Sequence, residues 1–98
     1  METFMVHILL PELFTQEIYQ ILNSQRERVH QLLDDQILLS YSMDMERKQV
    51  WAFIRGGSKL EVYELLRSFP IFHSVQVTIH ELAFHDIAPV HMPDLILN

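Results

Sequence analysis

No cysteine occurs in these 98 residues. That excludes disulfides, thiolate nucleophiles and Cys-based zinc sites. Glycine is almost as scarce. The two present are adjacent, Gly56-Gly57, and lack the rest of any phosphate-cradling pattern, so they read as a turn that breaks a strand. Bases are few: seven Lys and Arg stand against thirteen Asp and Glu, for a net charge of −6. The bases are scattered, whereas phosphate backbones need clustered cations, so nucleic acid is not an expected partner. No apolar run approaches the ~20 residues that cross a bilayer. No basic segment followed by a long apolar run opens the chain. Neither a membrane nor a secretory route is expected, and the expected location is cytoplasmic. Repeats and low-complexity segments are absent as well.

What is present is apolar: 49% of the residues are hydrophobic, and mean hydropathy is slightly positive. A chain of this length makes one domain, residues 1–98. A core so small cannot bury all that apolar surface, and the excess favours self-association or an apolar ligand pocket.

Periodicity supplies the elements. Phe4 to Leu10 is rich in β-formers and is ended by Pro11. Thr15 reads as a helix N-cap with Glu17 in the first turn, where the helix dipole favours an acid. Ile18, Ile21, Leu22, Val29, Leu32 and Leu33 then recur at helical spacing up to about Asp35. From Ile37 to Met45 the chain alternates, with Leu39, Tyr41, Met43 and Met45 expected on one face and Ser40, Ser42 and Asp44 on the other. Glu46-Arg47-Lys48 is a polar turn, and Gln49 to Ile54 is the return strand of a hairpin. Ser58 and Glu61 form a capping-box pattern for a second helix. Its stripe is Val62, Leu65, Leu66 and Phe69, and Pro70 stops it. Val75, Val77 and Ile79 then alternate with Gln76, Thr78 and His80. Residues 83–98, with Pro89 and Pro93, cannot continue a helix and are expected to form a C-terminal arm on a neighbouring subunit.

The order β-α-β-β-α-β is the ferredoxin-like α+β plan: a four-stranded antiparallel sheet with two helices on one face. The other face, carrying residues of the Gln76/Thr78/His80 kind, then needs a cover. The expected cover is the same face of a second copy.

The order, the length and the segment Ser68-Phe69-Pro70-Ile71-Phe72 ahead of a strand resemble the muconolactone delta-isomerase family. The resemblance runs ungapped from about Asn23 to His85, with matches at Glu27, Leu32, Ser58, Leu66, Pro70, Phe72 and Leu82. It implies a dimeric α+β barrel, assembled as a homodimer or larger ring. It also implies a cofactor-free isomerase that shifts a double bond in a small unsaturated acid or lactone by proton transfer. Two departures stand out. Gln36 occupies the position of a family glycine, and Tyr41-Ser42-Met43 replaces a Leu-Trp-Arg. The guanidinium that would grip a substrate carboxylate is therefore missing from that strand, with Arg55 a candidate replacement. A non-catalytic dimeric ligand-binding or assembly module on the same scaffold is the alternative reading.

A proton shift beside a carbonyl needs a base within hydrogen-bond reach of the C–H. Glu27, His7 and His80 are the candidates, with Trp51, Phe72, Tyr41 and Arg55 as candidate substrate-binding residues. His80, His85 and His91 are not spaced to place two ligands on one helix face, so no metal site is expected.

Overall fold

The computed structural model describes residues 2–89; the arm beyond Pro89, with His91 and Pro93, lies outside the described residues. The elements are β1 (Glu2–Leu9), α1 (Gln16–Asp34), β2 (Leu38–Met43), β3 (Gln49–Gly56), α2 (Lys59–Arg67), a short 3-10 helix (Phe72–Ser74) and β4 (Gln76–Glu81). The strands form one antiparallel sheet in the order β2-β3-β1-β4, the ferredoxin-like arrangement.

Alternation divides the sheet into two faces. Phe4, Val6 and Ile8 of β1, Val50, Ala52 and Ile54 of β3, and Ile79 of β4 are buried together with Val29 and Leu32 of α1 and Val62 and Leu66 of α2. At roughly 1.5–3 kcal/mol for each large apolar side chain taken from water, this single layer between sheet and helices dominates stability. The partners of these residues in sequence, including Met5, His7, Trp51 and Phe53, point to the opposite, open face.

The caps follow their sequence signals with one shift. The Thr15 hydroxyl accepts from the Ile18 N–H at 3.3 Å, and the Ser58 hydroxyl accepts from the Glu61 N–H at 3.1 Å. The Glu61 carboxylate, however, reaches back to the Gly57 N–H at 3.2 Å rather than to Ser58 itself. The end of α1 is a Schellman closure. The Ile37 N–H donates to the Leu32 carbonyl and the Gln36 N–H to the Leu33 carbonyl, each at 3.0 Å. This motif needs a left-handed residue after the cap, and Gln36 takes that role at φ 59°.

Two expectations are corrected. Strict alternation through the second strand fails, because the ladder slips between Leu38 and Ser40. Leu38, opposite Ile54, is the buried residue, while Leu39 is 39% exposed and Met45, beyond the strand, 98% exposed. A residue is taken up by the bulge, which returns Tyr41 and Met43 to the helix side opposite Ala52 and Val50. The second correction concerns Gly56. The glycine pair ends β3 as expected, but the strand runs two residues past Ile54, through Arg55 to Gly56, which pairs with Glu2. A Cβ there would stand 2.8 Å from Val62 Cγ2, so the missing side chain is what lets α2 close onto the sheet.

One buried polar residue went unanticipated. Gln25 of α1 is 7% exposed, and its Oε1 accepts from the Ile71 N–H at 3.2 Å. This bond satisfies a buried donor in the irregular segment after Pro70 and so fixes that segment against α1.

Candidate functional site

The register of the ladders aligns the open face into two cross-sheet rows. Ser42, Trp51, His7 and Thr78 lie opposite one another across β2, β3, β1 and β4. Ser40, Phe53, Met5 and His80 form the neighbouring row. The rows place half-buried aromatic residues at the centre and hydroxyl or imidazole groups at the rims.

His7 is the best-defined polar group in them. Its ring stacks on Trp51 with centroids 5.8 Å apart and planes 25° from parallel. Its Nε2 lies 2.9 Å from Gln49 Oε1, a side chain two positions from Trp51 on the same strand face. With the amide oxygen facing Nε2, the contact is a hydrogen bond in the tautomer that carries its proton on Nε2. The arrangement therefore orients the imidazole.

The second row is partly covered by the chain itself. After β4 the Leu82 N–H donates to the Thr3 carbonyl at 3.1 Å. The segment then brings the His85 ring onto Phe53, with centroids 4.4 Å apart and planes at 26°. The start of the arm thus lies on its own sheet. Beside this segment, at the end of β1 and β4, a cavity of about 640 Å³ is lined by Glu2, Thr3, Glu81 and residues 82–85. A hydrogen bond with Glu2 and the negative charge of that residue push the Glu81 carboxyl above its ordinary value, as expected when two like charges share a site.

The candidate residues divide among three places. His7, His80 and Trp51 share the open face, with His7 and His80 diagonal neighbours on paired strands. Glu27 is exposed on α1, in the helical layer, with the sheet between it and both histidines. Tyr41 points to the helix side. Burial pushes its phenol up, opposed by the neighbouring Gln25 amide. The Nε2 of that amide nonetheless makes no well-formed hydrogen bond. Phe72 also packs on the core side, edge-on to Tyr63 at 5.6 Å and His73 at 5.5 Å. Arg55, exposed at the end of β3 opposite Thr3, follows Trp51 and Phe53 on the open side of the strand, and the residue also borders a cavity beside α2. Trp51 is the proposed binding residue in contact with a candidate base, His7.

Gln49 and His85 complete the open-face group and were not among the candidates. Gln49 carries a signal only once β1 and β3 are known to pair, since it sits diagonally from His7 across that ladder. His85 carries none, because its contact depends on a turn after β4. Among the described residues no group of three or more His, Asp or Glu is placed to hold a metal ion, and no helix is long and apolar enough to cross a membrane.

Comparison with known proteins adds no relative: no family model matches the chain, and no curated protein matches it. The class that fold and site define is a ferredoxin-like α+β domain with an imidazole-bearing aromatic sheet face.

Proposed function

We propose that the protein is a muconolactone-isomerase-like, cofactor-free enzyme acting as a homodimer. Its open sheet face would supply the walls of a chamber for a small unsaturated acid or lactone. The observation that carries this reading is the oriented His7, with Nε2 bound to Gln49 and its ring against Trp51. In the reaction, Nδ1 takes a proton from the carbon beside the substrate carbonyl, leaving a dienolate. The resulting imidazolium returns the proton to the far end of the conjugated system, so the double bond moves with no net gain or loss of atoms. Thr78, directly opposite His7 across the β1–β4 ladder, would donate its hydroxyl to the developing oxyanion. A second copy laid on this face would exclude water from the chamber and cover its aromatic residues.

The test is conversion of α-angelica lactone, a β,γ-unsaturated lactone, to its conjugated isomer, followed by NMR in D2O. The protein is expected to accelerate conversion and deuterium uptake, and His7→Gln to reduce the rate by about 10²–10⁴, the usual contribution of a general base. Full activity in His7→Gln removes His7 from the chemistry.

The second reading, a non-catalytic assembly or ligand-binding module, draws support from Glu27. The carboxylate at the position the resemblance marks stands on the other layer from both histidines. No acceleration by the parent protein, together with a dimer that Trp51→Glu dissociates in sedimentation, favours this reading over the enzyme.

A further inference from the structure

The open face carries one ring that no strand supplies. Beyond β4, residues 82–89 are fastened to the sheet at two points. The Leu82 N–H donates to the Thr3 carbonyl at 3.1 Å. The His85 imidazole lies on the Phe53 ring, with centroids 4.4 Å apart and planes at 26°. Leu82 and His85 are half-buried, and the rest of the segment is exposed. Among the described residues, no backbone hydrogen bond beyond that of Leu82 ties it down. The segment is thus a strap, pinned at its root and held further on by one ring stack.

Which ring lies there is informative. Phe84 precedes His85 directly and stays 77% exposed, as Ile87 does at 73%. Burial of apolar area alone favours laying the phenyl ring on the sheet, yet the imidazole occupies Phe53. The shelf therefore accepts a small, flat, five-membered ring with polar edge atoms. It lies in the row beside His7, since Phe53 follows Trp51 on the same strand face and faces Met5 across the ladder.

The closure is weak. A near-parallel ring pair biases an equilibrium by about two- to twelvefold, and ordering residues 83–85 works against it. A competing ring has little to overcome.

We propose that the Phe53 face is a binding shelf for a flat, conjugated, five-membered oxygen ring. Residues 82–85 are its strap, and the His85 imidazole plugs the shelf until such a ring displaces it. The ligand class rests on the lactone reading above; its place on the face and the plug that controls access are added here.

The probe is the unsubstituted butenolide, a flat conjugated lactone, titrated into the full chain, His85→Ala and His85→Phe, and followed by amide NMR shifts. Shifts are expected at Phe53, Met5 and Ser40, the last opposite Phe53 on β2. His85→Ala should bind about two- to tenfold more tightly than the parent, because the competing ring is gone. His85→Phe keeps a ring on the shelf and should bind no better than the parent. Absence of shifts in His85→Ala overturns the inference, as does equal affinity in parent and His85→Ala. So does weaker binding in His85→Ala that His85→Phe restores, since the ring is then part of the site and not its plug. Binding is read without turnover. Tighter binding in His85→Ala beside a parent that isomerises no lactone leaves the shelf standing and removes the enzyme, and isomerisation with unchanged binding does the reverse.

Discussion

Replacing Gln36 by glycine is expected to stabilise the protein, against the general rule that a point substitution weakens a fold. The position closes α1 through two backbone bonds of 3.0 Å from Gln36 and Ile37, both of which require φ near its observed 59°. For a residue with a Cβ, that conformation costs roughly 1–2 kcal/mol relative to the right-handed helix. Glycine removes this penalty but loses about 0.5–1 kcal/mol of extra chain entropy on folding. Gln36 is exposed and makes no side-chain hydrogen bond among the described residues, so little else changes. The balance is a gain of about 0.5–1 kcal/mol, or about 3–6 °C in Tm for a domain of this size. Urea denaturation followed by the fluorescence of Trp51, the only tryptophan, reads it directly at one fixed protein concentration. The midpoint should rise with an unchanged slope. Gln36→Ala is the control, because alanine is strained at this φ as glutamine is. A destabilised Gln36→Gly, or an equal gain in Gln36→Ala, refutes the reasoning.

Three further outcomes are expected. Gly56→Ala drives a methyl to 2.8 Å from Val62 Cγ2 and should cost about 1–3 kcal/mol by overpacking; adding Val62→Ala should recover part of that loss, and additive losses in the double variant would contradict the contact. Gln25→Leu leaves the buried Ile71 N–H without its acceptor and should destabilise by about 1–2 kcal/mol, with hydrogen exchange at Ile71 accelerated above its neighbours; unaltered exchange there would refute the role given to Gln25. The Asp44 carboxyl is held below its ordinary value by the backbone N–H groups of Gln49 and Lys48. Its contribution is therefore fully present above the unfolded value of about 3.9 and is lost as pH falls through the lower folded value. The parent's advantage over Asp44→Asn should shrink in acid, and an advantage that grows there would reverse the assignment.

The element order and both N-caps were legible because they are local. A hydroxyl three residues before a bonded N–H, or an apolar stripe at helical spacing, needs no knowledge of the rest of the chain. The slip in β2 was not, since the run from Leu39 to Met45 alternates well as a sequence, and only pairing with Ile54 and Phe53 reveals the bulge. The open-face group was half legible. Alternation placed His7 and His80 away from the core, and the strand order allowed them to meet. That Gln49 holds His7 follows from a register between residues far apart in sequence. Gln25 carried no signal at all, because a glutamine in a polar helix looks solvated until Ile71 arrives beside it.

The contact of His85 with Phe53 has a consequence for how two copies can meet. A flat sheet-to-sheet stack is blocked over the Phe53 row, since that strip already carries the chain's own imidazole. A symmetric pair must then either displace the segment or shift sideways, so that its twofold axis passes nearer Trp51 and His7 than Phe53. In the shifted case each protomer's His85 segment becomes a wedge at the seam. On the homodimer proposed above, that shift would bring the two His7 rings close to the axis and make one shared chamber of two.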